Sequence, residues 1–356
     1  MTNRYREIKL GSQIINRFSK PYIIAEIGVN HEGSLERAKK LIELSKAGGA
    51  NAAKFQTYKA DTIASKNSPS YWDTEAEPTK SQHKLFKKYD SFGLDDYSKL
   101  AQHCRENKID FLSTPFDLDA VDFLDPMMPF FKIASADITN IPLLRKVASK
   151  KKPIVLSTGA SRIDEIGMAV ELLKEGGIKD LILLHCVLNY PTPSKNAHLR
   201  MIKGLKKNFP DLLIGYSDHT HPDEAMTSLI VAHMLGAVII EKHFTDDKTA
   251  KGNDHYHAMD IDDLKNYKST LDIIHEKLGQ DENKYPLKSE KISRDNARRS
   301  IYTKGRVEAG EILSENNLIC KRPGTGISPL FWDQIIGKKM RVNIDDDEQI
   351  QWSHLI

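Results

Sequence analysis

Leu212-Leu213-Ile214-Gly215-Tyr216-Ser217, then a helical stretch Glu224–Leu235 ended by Gly236, then Val238-Ile239-Ile240-Glu241-Lys242-His243: this passage decides the fold. The two apolar runs are too short for helices, and the second is rich in Val and Ile. Strands that are apolar nearly throughout, joined by a helix, belong to a parallel sheet covered on both faces. Each run also ends on polar residues. The same unit recurs upstream, with runs at Tyr22–Glu26, Ala52–Gln56, Phe111–Thr114, Phe130–Ser135, Ile154–Ser157 and Leu181–Cys186. Helical candidates Leu35–Lys46, Asp96–Asn107 and Arg162–Lys174 lie between them, and Asp262–Leu278 closes the series. Glycines mark helix ends at Gly48-Gly49, Gly176-Gly177 and Gly236. Eight such units predict a (β/α)₈ TIM barrel. An open doubly wound sheet would place a glycine-rich phosphate loop after its first strand. The turn there, Gly28-Val29-Asn30-His31-Glu32-Gly33, lacks that spacing.

The barrel accounts for residues 1–280. A polar, charged stretch, 281–296, reads as a linker. Residues 297–356 change character, with short alternating runs (Ser300–Thr303, Ile312–Leu313) and turn signals at Lys304-Gly305, Ala309-Gly310 and Arg322-Pro323-Gly324. This is a small mixed domain, marginal in isolation at that size. One long polar insertion, Thr57–Leu94, interrupts the barrel rhythm and carries Tyr71-Trp72 and Tyr89. At the catalytic end of a barrel such a loop is usually functional.

Bulk properties exclude several classes. Apolar residues at 40% and charged residues at 28% describe an ordinary globular chain, not a disordered or fibrous one. The 52 basic residues are dispersed among 49 acidic ones, so no nucleic-acid groove is indicated. Cys104, Cys186 and Cys320 are odd in number and far apart, which fits a reducing compartment without disulfides. Met1–Leu10 lacks the apolar core of a signal peptide, and no run approaches a membrane span. The expected location is the cytoplasm.

Side chains at the C-terminal ends of barrel strands converge on one pocket. Here they are Glu26, Lys54, Gln56, Thr114, Lys132, Ser135, Ser157, Ser217, Asp218, His219, Glu241 and His243. His219 and His243, on adjacent strands, suit one divalent metal with positions left open for substrate; the alternative is two hydrogen-bonded core histidines. His221, His255 and His257 compete from nearby loops. Lys54 and Lys132 suit a phosphate or carboxylate, a Schiff base with a carbonyl substrate, or a salt bridge, for instance to Glu26. Glu26 and Glu241 are candidate acid/base groups or orienters of a metal ligand. Tyr190, opening the loop after the sixth strand, can meet a sugar or brace the loop.

In order along the chain, Ile24-Ala25-Glu26-Ile27-Gly28-Val29-Asn30-His31, Lys54-Phe55-Gln56-Thr57, Ser113-Thr114-Pro115-Phe116, Lys132-Ile133-Ala134-Ser135, Ser157-Thr158-Gly159, Tyr190-Pro191-Thr192, Gly215-Tyr216-Ser217-Asp218-His219-Thr220, Glu241-Lys242-His243-Phe244 and Lys321-Arg322-Pro323-Gly324 resemble the motifs of the sialic acid synthase family. That family includes N-acetylneuraminate, legionaminic acid and pseudaminic acid synthases, and the resemblance spans almost the whole chain. It implies a barrel followed by a C-terminal antifreeze-like (SAF) domain, in a domain-exchanged homodimer. The implied reaction condenses phosphoenolpyruvate with an N-acylated amino hexose, N-acetylmannosamine or a 2,4-diacetamido-trideoxyhexose, giving a nine-carbon sugar acid and phosphate. A divalent metal is implied on His219 and His243, typically Mn²⁺, with Mg²⁺ or Co²⁺ as substitutes. Lys54, Thr114, Lys132, Ser157 and Ser217 resemble the family's phosphoenolpyruvate-binding residues, with Ser135 beside them. Gln56, Tyr190 and Asp254 resemble its sugar-binding ones, and Arg322 an arginine that reaches the partner subunit's site. Leu188 stands where the family commonly has asparagine, and Asp137 where glutamate is frequent; both bear on the sugar more than on the reaction. Two other functions remain open at this level: a Schiff-base aldolase using Lys54 or Lys132, and a non-catalytic carbohydrate- or ice-binding protein built on the small domain.

Overall fold

A computed structural model describes residues 6–72, 74–75, 77–252, 254–279 and 282–356. The chain forms two compact units, Met1–Gln280 and Asp281–Ile356; the boundary residues 280 and 281 themselves lie outside the described residues.

The first unit opens with an antiparallel hairpin, β1 (Ile8–Leu10) and β2 (Gln13–Ile15). Its Ile8, Leu10 and Ile15 are buried in the core, so a stretch whose composition reads as polar still contributes apolar residues. The barrel follows with β3 (Tyr22–Gly28), β4 (Ala52–Thr57), β5 (Asp110–Pro115), β6 (Phe131–Ile133), β7 (Ile154–Ser157), β8 (Leu181–Cys186), β9 (Leu213–Asp218) and β10 (Ala237–His243). All ladders are parallel, in the order β5-β4-β3-β10-β9-β8-β7-β6, and β5 and β6 at the two ends lie against each other. The first strand therefore pairs with the last, as a barrel requires.

Helices cover the outside: α1 (Leu35–Gly48), α4 (Leu94–Glu106), α5 (Leu118–Leu124), α6 (Ile141–Ser149), α7 (Ile163–Glu175), α8 (Met201–Asn208), α9 (Thr227–Met234) and α10 (Ile261–Leu278). Their boundaries follow local chemistry. Ser34 caps α1 by accepting from Arg37 N, and Gly49 ends it in the left-handed region at φ 98°. Asp260 caps α10 through the amides of Asp262 and Asp263. One apolar stripe from each helix, such as Leu41 and Ile42 of α1 or Leu143 and Val147 of α6, packs onto the strands. The 57–94 insertion contains α2 (Ala60–Ile63) and α3 (Gln82–Tyr89).

The second unit has its own core, which includes Ile301, Val307, Leu313, Ile335 and Ile350. It is built on the antiparallel pair β11 (Ser300–Thr303) and β12 (Leu318–Lys321), with α12 (Trp332–Ile335). Residues Lys291–Ala297, which span the end of the 281–296 stretch that reads as linker, form a short helix, α11. Among the described residues no helix is long and apolar enough to cross a membrane.

Candidate active site

Ladder register brings the polar strand ends level. Glu26 on β3 stands opposite Lys54 on β4 and opposite His243 on β10. Gln56 faces Thr114, and Ser217 pairs with both Cys186 and Glu241. Because side chains alternate along a strand, Lys54 and Gln56 enter the barrel mouth while Phe55 points outward, its ring 5.9 Å from Phe111. The same rule removes Asp218 from the site. Ser217 and His219 line the cavity, whereas Asp218 is buried outside it, paired to Lys242 at 2.6 Å and bonded to Tyr216 and Thr220.

The cavity encloses about 360 Å³ and is lined by Glu26, Lys54, Gln56, Thr114, Lys132, Ser135, Ser157, Tyr190, Ser217, His219, Glu241, His243 and Asp254. Of the expected site residues, Asp218 and Arg322 are not among them; Arg322 is exposed in the second unit just after β12. Gly28, at the end of β3, lets the mouth close tightly. It sits at φ 55°, and a Cβ there would meet Gln56 Nε2 at 3.3 Å. At Gly159 a Cβ would come within 2.8 Å of Ser135 Oγ, which accepts the Gly159 amide.

The floor is a buried quartet of charges, each at most 5% exposed. Lys54 Nζ lies 2.6 Å from Glu26 and 3.6 Å from Glu241, and donates to Thr114 Oγ1 at 3.1 Å. Lys132 Nζ lies 3.4 Å from Glu241, which also accepts from Ser217 at 2.8 Å. The two carboxyls behave oppositely. Burial alone would raise Glu241, but Lys132 and Lys54 outweigh it and hold it at about 2. Glu26 is raised by burial and by the Glu241 charge, against the pull of Lys54 and a 3.0 Å bond from Gln56. Lys54 is raised, because two carboxylates overcome its burial, whereas burial and Lys54 lower Lys132 against Glu241. Ser157 Oγ is buried without a protein hydrogen-bond partner.

Beside the floor, His243, Asp254 and His257 offer ligand atoms that all lie within 4.8 Å of one another. His243 Nδ1 is 3.3 Å from Asp254 Oδ2. Both ring nitrogens of His257 are buried without a hydrogen bond. The His219 ring is 5.4 Å from that of His243. Its Nδ1 donates to Val187 O at 2.9 Å, which leaves Nε2 as the basic nitrogen. Burial lowers His219 to about 4, and burial with neighbouring imidazoles holds His243 and His257 well below the usual histidine range. Neutral, orphaned imidazoles beside a carboxylate fit a divalent metal. His257 reads from sequence only as one of several loop histidines. No spacing rule singles it out, because its position depends on how the 244–259 loop folds back so that Met259 N donates to His243 O at 2.8 Å.

The walls are aromatic. Tyr190 lies over His219 with centroids 4.2 Å apart, Tyr71 is 6.0 Å from Tyr190, and Trp72 is 5.3 Å from Tyr71. Tyr58 lies between Phe86 and Phe116, at 5.3 and 6.1 Å. Tyr71, Trp72 and Tyr89 are in the insertion and line the cavity, as do Tyr58, Phe86 and Phe116.

Comparison with known proteins gives this arrangement a context. The profile of the NeuB family matches residues 41–283, and that of the SAF domain matches residues 298–356. The N,N'-diacetyllegionaminic acid synthase of Campylobacter jejuni is 40% identical over 93% of this chain and 99% of its own. The N-acetylneuraminate-9-phosphate synthase of Drosophila melanogaster is 34% identical, over 94% and 96% respectively. The crystal structure of an N-acetylneuraminic acid synthetase from Leptospira borgpetersenii superposes with a TM-score of 0.72 at 33% identity, covering 81% of this chain and 95% of that one. Over the greater part of its length, barrel and site together, the chain belongs to the NeuB family and carries a SAF domain at its C-terminal side.

Proposed function

We propose that the protein condenses phosphoenolpyruvate with the open-chain aldehyde of an N-acylated amino hexose, releasing phosphate and a nine-carbon sugar acid. The observation that carries this reading is one cavity with two functional halves: a lysine and hydroxyl floor suited to phosphate and carboxylate, and a histidine cluster suited to a metal. The names of the relatives agree with it.

In this reaction the methylene carbon of phosphoenolpyruvate attacks the aldehyde carbon, and the aldehyde oxygen takes up a proton to become a hydroxyl. Water then adds to the carbon bearing phosphate and gives up a proton. Cleavage of that carbon–oxygen bond releases phosphate and leaves the ketone. Lys54 and Lys132 hold the phosphate and carboxylate charges, with Thr114, Ser157 and Ser217 fixing their orientation. Glu26 carries the proton from water, since its raised affinity suits exchange, while Glu241 stays ionised and holds both lysines in place. His243, Asp254 and His257, with His219 beside them, would hold a divalent metal, which would supply Lewis acidity. Gln56, Tyr190 and Asp254 face the sugar, and Arg322 acts on the sugar in a partner subunit's cavity within a domain-exchanged homodimer.

The test is phosphate release with manganese, phosphoenolpyruvate and amino sugar together. Release should require both substrates, and the product mass should equal their sum plus water minus phosphoric acid. Release from phosphoenolpyruvate alone, or none with any amino sugar, would sink the reading. One observation favours a Schiff-base aldolase instead: burial lowers the Lys132 ammonium. Borohydride in the presence of substrates separates the two, because only the aldolase is trapped as a covalent adduct.

A further inference from the structure

His219 and His243 are held by different means. His243 lies within β10 and pairs with Glu26 of β3 in the ladder. His219 lies one residue past the end of β9, and the last paired position between β9 and β10 is Asp218 with Lys242. Ladder register therefore fixes His243 but stops short of His219. Both imidazoles line the cavity, whereas the side chains of Asp218 and Lys242 point away from it.

Where the ladder stops, Lys242 takes over. Its ammonium, on the residue before His243, donates to Asp218 Oδ2 and to the carbonyl oxygen of Thr220, both at 2.6 Å. These are the two residues that flank His219. Asp218 completes the hold. Its Oδ1 accepts from Tyr216 OH at 2.7 Å and from Thr220 N at 3.0 Å, and its Oδ2 accepts from Thr220 Oγ1 at 3.0 Å. Thr192 N donates to His219 O at 2.8 Å, which ties the loop of Tyr190 to the same segment. The charged side chains of Asp218 and Lys242 are at most 1% exposed. A buried ion pair is a poor source of stability, since apolar residues of similar volume fill such a space as well or better. What a fully bonded pair adds is direction, because each donor and acceptor has one place to go.

Resting on the metal site and the condensation proposed above, we infer that Asp218 and Lys242 are positioning residues: from behind the cavity wall their pair fixes His219 against His243, and so sets the affinity of the histidine–aspartate cluster for a divalent metal. Neither residue touches the substrates. Their effect passes through the backbone on both sides of His219 and through the peptide that leads into His243.

The experiment uses the full-length double variant Asp218→Asn/Lys242→Met, in which both charges go while the side-chain volumes stay close to the originals. The readouts are manganese titration of the metal-free protein by calorimetry, thermal unfolding without metal, and kcat and KM at saturating manganese. Manganese affinity should fall about 10-fold or more, the scale for losing an outer partner of a metal ligand, and kcat should fall with it. KM for phosphoenolpyruvate should stay close to wild type, because Lys54 and Lys132 stand on β4 and β6. Tm should change little, since no charge is left buried without its partner. Asp218→Asn alone strands a buried ammonium, so it should weaken manganese at least as much and lower Tm as well. Leu143→Ala, a core truncation on α6, should lower Tm and leave manganese affinity unchanged, which separates positioning from stability. Wild-type manganese affinity in the folded double variant would overturn the inference. An equal loss of affinity in Leu143→Ala, or a double variant that cannot fold, would overturn it too, by making the pair a matter of stability. Absence of manganese binding by the wild-type protein would overturn the metal site itself and the inference with it.

Discussion

The floor and the walls of the cavity are built by different means. On the floor, Glu26, Lys54, Lys132 and Glu241 sit on strands; ladder register sets Glu26 opposite Lys54, and Glu241 reaches Lys54 and Lys132 from a strand that pairs with neither of theirs. A buried charge on a strand is costly to move, because every partner is fixed by the same sheet. The walls come from segments that the sheet does not dictate: the insertion with Tyr71 and Trp72, the loop with Leu188 and Tyr190, and the fold-back that delivers Asp254 and His257. The contrast ties the floor charges to the sheet and the wall side chains to the loops, so that changes in the loops can alter what the cavity accepts without disturbing the floor. Relatives that share the family but are named for different products fit that division.

The histidine–aspartate cluster proposed to hold the metal is where strand and loop meet, and its removal should give the largest effect. His243→Ala should lower kcat on the order of 10³-fold, since Lewis-acid stabilisation is worth several kcal/mol, while circular dichroism stays native. His257→Ala, the loop contribution, should weaken manganese binding by roughly 10-fold or more, read by calorimetric titration. Unchanged manganese affinity in that variant would make His257 a packing residue and return the site to His219 and His243.

The two floor carboxyls give the next effect. Glu26→Gln should lower kcat about 10²-fold, the lower range for loss of an acid/base group. Because Glu26 is raised by burial and by Glu241, its ionised form disappears as pH falls through a value above the ordinary carboxylate range. The wild-type rate should therefore show an acid limb there, and Glu26→Gln should lack it. Glu241, held at about 2, cannot produce such a limb. A limb that persists in Glu26→Gln would move the proton-carrying role elsewhere. Smaller still, Lys54→Ala and Lys132→Ala should each raise KM for phosphoenolpyruvate about 10-fold, the loss of one charge-assisted contact. Lys54→Ala should be the less stable of the two, because it leaves Glu26 and Glu241 facing each other.

The floor was legible in the sequence because two regular rules generate it. Apolar runs place their polar ends at the barrel mouth, and alternation decides which of those ends point inward. The first rule alone admitted Asp218; the second, applied across Ser217, Asp218 and His219, excludes it and pairs it with Lys242. The walls were legible only as a location. An interruption in the barrel rhythm marked the insertion, but nothing in the spacing of Tyr58, Phe86 and Phe116 shows that their rings meet. The N-terminal hairpin was hidden for a related reason: its strands are runs of only three, Ile8-Lys9-Leu10 and Gln13-Ile14-Ile15, too short for a period-two signal to stand out.

The floor–wall division leaves out Arg322, which belongs to the second unit. Its neighbour Lys321 is tied to Asp347 at 2.5 Å, whereas Arg322 is exposed and makes no hydrogen bond or ion pair among the described residues. A free guanidinium is a fork suited to an acyl oxygen or a carboxylate. Arg322→Ala should therefore reduce turnover, and Arg322→Lys should restore it only in part, since lysine lacks the planar fork. The proposed action in a partner's cavity has a distinct signature. Arg322→Ala and His219→Ala proteins are each inactive on this account. Mixed, with subunit exchange confirmed by mass spectrometry, they form hybrids in which one cavity combines an intact histidine with an intact arginine. With random pairing half the dimers are hybrids, and one of the two cavities in each is intact, so activity should recover toward one quarter of wild type. An arginine acting within its own subunit predicts no recovery, because every cavity in the mixture would then lack one of the two groups.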